Sequence, residues 1–151
     1  MLEIINYFAS DDQAHWLAEI RRCEWRAAKF LADLLEKDRF AAELGQGTVY
    51  LLADGRSLVS FVTLSARDCI PDEKLYPWIG FVHTSPEYRG HRYAGLLIDH
   101  AARAAFDAGV QRVYLATDHI GLYEKYGFEY FENRVSVYGE DSRVYVREAD
   151  I

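Results

Sequence analysis

The stretch from Trp78 to Thr117 constrains the fold most, because it reads strand, turn, helix, strand without interruption. The apolar run Trp78–His83 stands between Pro77 and Pro86. Proline has no N–H to give a ladder, so the strand lies between the two. A glycine-containing basic loop, Tyr88–Gly95, follows. Ala94, Leu97, Ile98, Ala101, Ala102 and Ala105 then fall on one helical stripe, with Arg92, Asp99, His100, Arg103 and Asp107 on the other face. Gly109 is placed as the helix C-cap, and Val113–Thr117 is a second short apolar strand. A strand–helix–strand unit of this kind sets its two strands parallel through a right-handed crossover. The helix stripe must then be buried on the sheet that contains them.

The rest of the chain supplies antiparallel pieces. Leu2–Phe8 reads as a first strand, and Ser10 as a helix N-cap with Gln13 three residues on and Asp11 and Asp12 at the positive end of the dipole. Trp16, Leu17, Ile20, Cys23, Ala27, Phe30, Leu31, Leu34 and Leu35 recur at helical spacing, and Gly45 and Gly47 end the region. No Gly or Pro interrupts them, so the periodicity allows one helix or two over residues 11–44. Thr48–Ala53 and Ser57–Ser65 flank Asp54-Gly55-Arg56, a hairpin signal. Pro71–Pro77 is a polar connection. Leu122–Tyr126 reads as a short helix ended by Gly127. Phe128–Phe131, Val135–Tyr138 and Val144–Val146 read as strands, the last two around a Gly139–Ser142 turn. This order predicts an α/β fold, a mixed and mostly antiparallel sheet flanked by helices. Without a linker or repeat, residues 1–151 are expected to form one domain.

Charge and apolar run lengths narrow the function classes. Asp and Glu number 24 against 17 Lys and Arg, a net charge of −7, which argues against a nucleic-acid or anionic-membrane binder. The longest stretch free of charged side chains, Leu75–Pro86, has 12 residues and is too short to span a bilayer. The first residues show no basic region ahead of an apolar core, so no signal peptide is expected and the chain reads as cytoplasmic. Cys23 and Cys69 are far apart and outside any Cys-x-x-Cys or His-x-x-x-His spacing, so neither a disulfide nor a metal site is expected.

The loop Pro86-Glu87-Tyr88-Arg89-Gly90-His91-Arg92-Tyr93-Ala94-Gly95 carries the chemistry. It leaves a strand and enters a helix, where the first N–H groups have no internal partner and the dipole favours an anion. Arg89, His91 and Arg92 add cations at the same point, so a phosphate or pyrophosphate site is predicted on an otherwise acidic chain. Gly-Lys-Ser/Thr is absent, which excludes a nucleotide P-loop.

Arg89-Gly90-His91-Arg92-Tyr93-Ala94 resembles the acetyl-CoA signature of the GNAT acetyltransferase superfamily, Arg/Gln-x-x-Gly-x-Gly/Ala, with Arg92 where the central Gly usually stands. Downstream, Gly121-Leu122-Tyr123-Glu124-Lys125-Tyr126-Gly127-Phe128 is similar to the family's Leu-Tyr-Glu-Lys-x-Gly-Phe motif. The resemblance implies a GNAT-like sheet whose two central parallel strands splay apart at their C-terminal ends. It also implies two helices in the first helical region, with a bend near Cys23–Trp25 beside the acceptor site. The pantetheine of acetyl-CoA would lie in the gap, against the backbone of Val82, His83 and Thr84. Its pyrophosphate would rest on the N–H groups of Gly90, His91, Arg92, Tyr93, Ala94 and Gly95, with Arg89 a further cofactor-binding residue. Arg92 keeps its N–H but resists the positive φ a glycine would supply.

The activity the resemblance implies is acetyl transfer from acetyl-CoA to a primary amine of a small molecule or peptide, by direct attack in a ternary complex. The alternative is a non-catalytic acyl-CoA-binding module. Tyr123 matches the family tyrosine near the thioester sulfur and is the expected general acid. Asp68, His83, Asp118 and His119 are the alternatives for the base, Asp68 also as a partner for the acceptor ammonium; Asp118 could instead cap the short helix. Trp25 either lines the acceptor pocket or packs in the core. The chain is expected to act as a monomer or homodimer.

Overall fold

The computed structural model describes residues 1–150. Seven strands form one sheet in the order β1-β2-β3-β4-β5-β7-β6. They are β1 Leu2–Asn6, β2 Gly47–Asp54, β3 Ser57–Ser65, β4 Trp78–Thr84, β5 Arg112–Thr117, β6 Glu129–Val135 and β7 Asp141–Glu148. The helices are α1 Gln13–Arg22, α2 Arg26–Glu36, α3 Phe40–Leu44 and α4 Tyr93–Asp107. Every neighbouring pair is antiparallel except β4–β5, which is parallel and meets at one register pair, Trp78 with Tyr114. Beyond Trp78 the two strands separate, which is the predicted splay. No helix among the described residues is long and apolar enough to cross a membrane.

Two apolar layers hold the sheet. On one face Leu97, Ile98, Ala101, Ala102 and Ala105 of α4 pack on Val59, Val62, Ile79, Val113 and Leu115. On the other, Trp16, Ile20, Ala28, Leu31 and Phe40 from α1–α3 pack on Val49, Leu51, Leu58 and Phe61. The loop after β3 extends this second layer, burying Ile70 and Leu75 against Trp78 and Val144. Trp78, buried in full, donates its indole N–H to Leu75 O at 2.7 Å.

Local details depart from the sequence reading at the element ends. The region 11–44 holds three helices rather than one or two. Cys23 and Trp25 both adopt extended backbone (ψ 132 and 125), which bends the chain where the resemblance implied it. A second break follows at Asp38, whose φ is +55. The N-cap of α1 is Asp12 rather than Ser10, because Ser10 Oγ instead accepts the Asp12 N–H at 3.0 Å. β1 stops at Asn6, whose side chain accepts the Phe8 N–H of a following 3₁₀ turn. Val135–Tyr138 is not a strand of its own. Ser136 N–H donates to Glu140 O at 2.8 Å and its hydroxyl accepts from Tyr138 N–H at 3.2 Å, so residues 136–140 form the turn between β6 and β7.

Candidate active site

β4 decides what the site can present. Phe61 pairs with His83 and Thr63 with Gly80, so Val62 alone faces two residues, Phe81 and Val82. This is a bulge, and it interrupts the ladder and re-aims side chains. Phe81 sits there at φ +49 and turns onto the α1–α3 face, where its ring stacks on Phe30 with centroids 6.3 Å apart. Val82 stays on the α4 face. Ser60 fixes the end of the strand by donating to His83 O at 2.6 Å, and Ser85 N–H bonds Val59 O at 2.8 Å.

A cleft of about 640 Å³ opens where β4 and β5 part. Val82, His83 and Thr84 form its strand side. Arg89, Gly90, Arg92, Tyr93 and Ala94 form its loop side. Tyr123, Tyr126 and His119 close it from across the gap. The loop takes the expected shape: Gly90 has φ +89 and Arg92, the residue directly before α4, lies in the left-handed region at φ +57, ψ 31. A non-glycine residue costs about 1–2 kcal/mol there. Among the described residues the N–H groups of Gly90, His91, Arg92, Tyr93 and Ala94 have no hydrogen-bond partner, and that of Gly95 already turns back to Arg92 O at 3.0 Å. Five such donors at the positive end of a 15-residue helix form a cradle of the kind that suits an anion.

Two loop residues have other roles. His91 does not line the cleft; its ring lies 5.3 Å from that of Tyr93. Gly95 is buried against Tyr126, and a Cβ there would come within 2.8 Å of the tyrosine ring. Tyr126 stands at the variable position of the second motif, so the motif carries no signal for its place in the cleft.

Tyr123 is buried beside Phe128 and Tyr126, and burial pushes its hydroxyl up to about 12. It therefore stays protonated across the physiological range. His83 faces the α1–α3 side, stacked on Trp25 at 5.3 Å and 11°. Burial, and then the Arg89 charge, lower its pKa from 6.5, which keeps the imidazole neutral at neutral pH. Asp118 does not cap the short helix, now a 3₁₀ turn over Tyr123–Tyr126; Glu124 takes the Gly121 N–H at 3.0 Å instead.

Asp68 lies outside the cleft, in a second cavity of about 1,170 Å³ on the α1–α3 face. Trp25, at the bend between α1 and α2, lines both cavities. Asp68 Oδ1 accepts the Cys69 N–H at 2.7 Å. Burial raises its pKa above the ordinary 3.8, with that hydrogen bond opposing. The Cys69 thiol is pushed up to about 12, first by burial and then by Asp68, and burial raises Cys23 as well. Neither thiol is a thiolate at neutral pH. Among the described residues no group of three His, Cys, Asp or Glu is placed to hold a metal ion.

The family model of the acetyltransferase (GNAT) family matches residues 10–128. No curated protein matches the sequence. Solved structures share the architecture over nearly the whole chain at low identity. A GNAT family acetyltransferase from Elizabethkingia anophelis, solved with acetyl-CoA bound, is 14% identical, with 97% of each chain covered and a TM-score of 0.66. An acetyltransferase from Streptococcus agalactiae is 18% identical, with 97% of this chain and 98% of that one covered and a TM-score of 0.68. A protein assigned to the GNAT family from Desulfovibrio desulfuricans is 12% identical, with 99% of each covered and a TM-score of 0.73.

Proposed function

Since the chain belongs to the GNAT acetyltransferase family, we propose that it transfers an acetyl group from acetyl-CoA to a primary amine by direct attack within a ternary complex. The observation that carries this reading is the cradle of five unpartnered N–H groups, Gly90 to Ala94, four of whose residues line the gap between β4 and β5. The diphosphate of acetyl-CoA rests on that cradle, with Arg89 and Arg92 adding charge. Its pantetheine arm runs along β4. His83 O and Thr84 O already accept from Ser60 Oγ and Arg89 Nε, so Val82 offers the freest backbone edge.

The chemistry needs a neutral amine, an oxyanion donor and a protonated leaving group. The amine nitrogen attacks the thioester carbonyl carbon from the side of the second cavity. The N–C bond forms as the C–S bond breaks. A backbone N–H of the Val82–Thr84 segment stabilises the oxyanion. The surplus amine proton passes to Asp68, whose raised pKa suits a base that must hold a proton. His83, neutral beside Trp25, is the alternative acceptor. Tyr123 gives its proton to the departing sulfur, leaving an amide and free CoA. The neutral thiols of Cys23 and Cys69 offer no nucleophile for an acyl-enzyme route.

Calorimetric titration with acetyl-CoA and dephospho-CoA, followed by thiol release on adding amines, tests the reading. Tyr123→Phe should lower kcat about 100-fold while leaving the acetyl-CoA Kd unchanged. Because Tyr123 is pushed up to about 12, kcat should show no descending limb at the ordinary tyrosine value of 10.0. Binding without turnover for any amine would make the chain a binding module instead.

A further inference from the structure

The cavity that holds Asp68 has a divided lining. At one point, over the bare Cα of Gly80, two polar groups converge: a Cβ there would lie 2.3 Å from Asp68 Oδ2 and 3.3 Å from Thr63 Oγ1. Thr63 is wholly buried and its hydroxyl has no hydrogen-bond partner. Several other charged groups of the lining are already engaged, while Arg26, Glu73 and Glu140 line it as well. Asp72 is paired with Arg134 and Glu43 with Arg39, and Arg67 donates to Ala41 O and Ala42 O. Away from Asp68 the walls carry aromatic rings. Phe30, 42% exposed, stacks on Phe81, and Tyr138, 70% exposed, stands on the turn after β6. That turn is tied beside Asp68, since Val137 N–H donates to Cys69 O at 2.8 Å. Exposed rings gathered at one concave surface leave apolar area that a ligand can cover.

We infer that this cavity selects an acceptor with a single ammonium on a flat, aryl-sized apolar body, held by Asp68 at its charged end and by Phe30, Phe81 and Tyr138 along its body. The inference rests on the acetyl-transfer reading and names its acceptor class. A polyamine would leave the rings uncovered. An amino acid would carry its own carboxylate toward Asp68.

The test is thiol release at saturating acetyl-CoA with 2-phenylethylamine, spermidine and L-phenylalanine as acceptors. We expect kcat/KM for 2-phenylethylamine to exceed that of either competitor by about tenfold or more, the scale an apolar pocket delivers. Phe30→Ala, and independently the exposed Tyr138→Ala, should raise its KM about fivefold with kcat nearly unchanged, the pattern of lost uniform binding. A preference for spermidine, or KM values unmoved in both variants, would overturn the acceptor class and leave acetyl transfer standing. Bound acetyl-CoA with no thiol release from any of the three would overturn the transfer reading and this inference together.

Discussion

Asp68 occupies the space above Gly80 because nothing larger than hydrogen projects from that strand position. The arrangement costs folding free energy. The folded chain binds the Asp68 proton more tightly than the unfolded chain, so stability falls as pH rises between the unfolded value of 3.8 and the raised folded one. Asp68→Asn keeps an acceptor for the Cys69 N–H and removes the buried charge. Its Tm should exceed that of the parent at about pH 7 and match it at about pH 3, where the parent residue is itself protonated. Its kcat should fall by about 10² to 10⁴-fold. A lower Tm at neutral pH would mean that the ionised carboxylate is well solvated. Arg92 carries a local cost as well: its backbone takes the left-handed conformation that a glycine adopts freely, and its side chain sets a cation at the start of α4.

At the scale of elements, the site depends on where two segments touch. α4 begins at the cradle and its first turn lies against the 3₁₀ turn that carries Tyr123, with Gly95 meeting the Tyr126 ring. In an isolated helix Gly→Ala would stabilise by about 1 kcal/mol. Here the added methyl would stand 2.8 Å from the ring, so Tyr126 must move. Gly95→Ala should gain no stability by urea denaturation and should lower kcat several-fold through displacement of the Tyr123 turn. A stabilised variant with full activity would show that the two segments yield without consequence. The bulge in β4 is the other junction, turning Phe81 toward Phe30 and leaving Val82 facing the cleft.

Across the whole molecule, the cleft exists because the sheet is parallel at one place only, and there the two strands share one pair of residues. What keeps the parted halves in position is a clamp from β7. Arg147, with its side chain 1% exposed, bonds Asp99 of α4 at 2.8 Å and Tyr126 O at 3.0 Å. Arg147→Met keeps the volume and strands the carbonyl, so unfolding free energy should fall by about 2 kcal/mol, read by urea denaturation. No loss would mean that water replaces the guanidinium freely. The strand–helix–strand crossover, the loop before α4 and the short turn that carries Tyr123 were legible in contiguous residues with a period or a spacing, and the resemblance placed the bend at Cys23–Trp25. The remaining features arise from tertiary packing. The β4 bulge, the left-handed Arg92, the placement of Asp68 over Gly80 and the Arg147 clamp all join residues far apart in the chain or set dihedrals that no local pattern encodes. Ser10 and Val135–Tyr138 misled for the same reason: a side-chain hydrogen bond two residues away outweighed propensity at each.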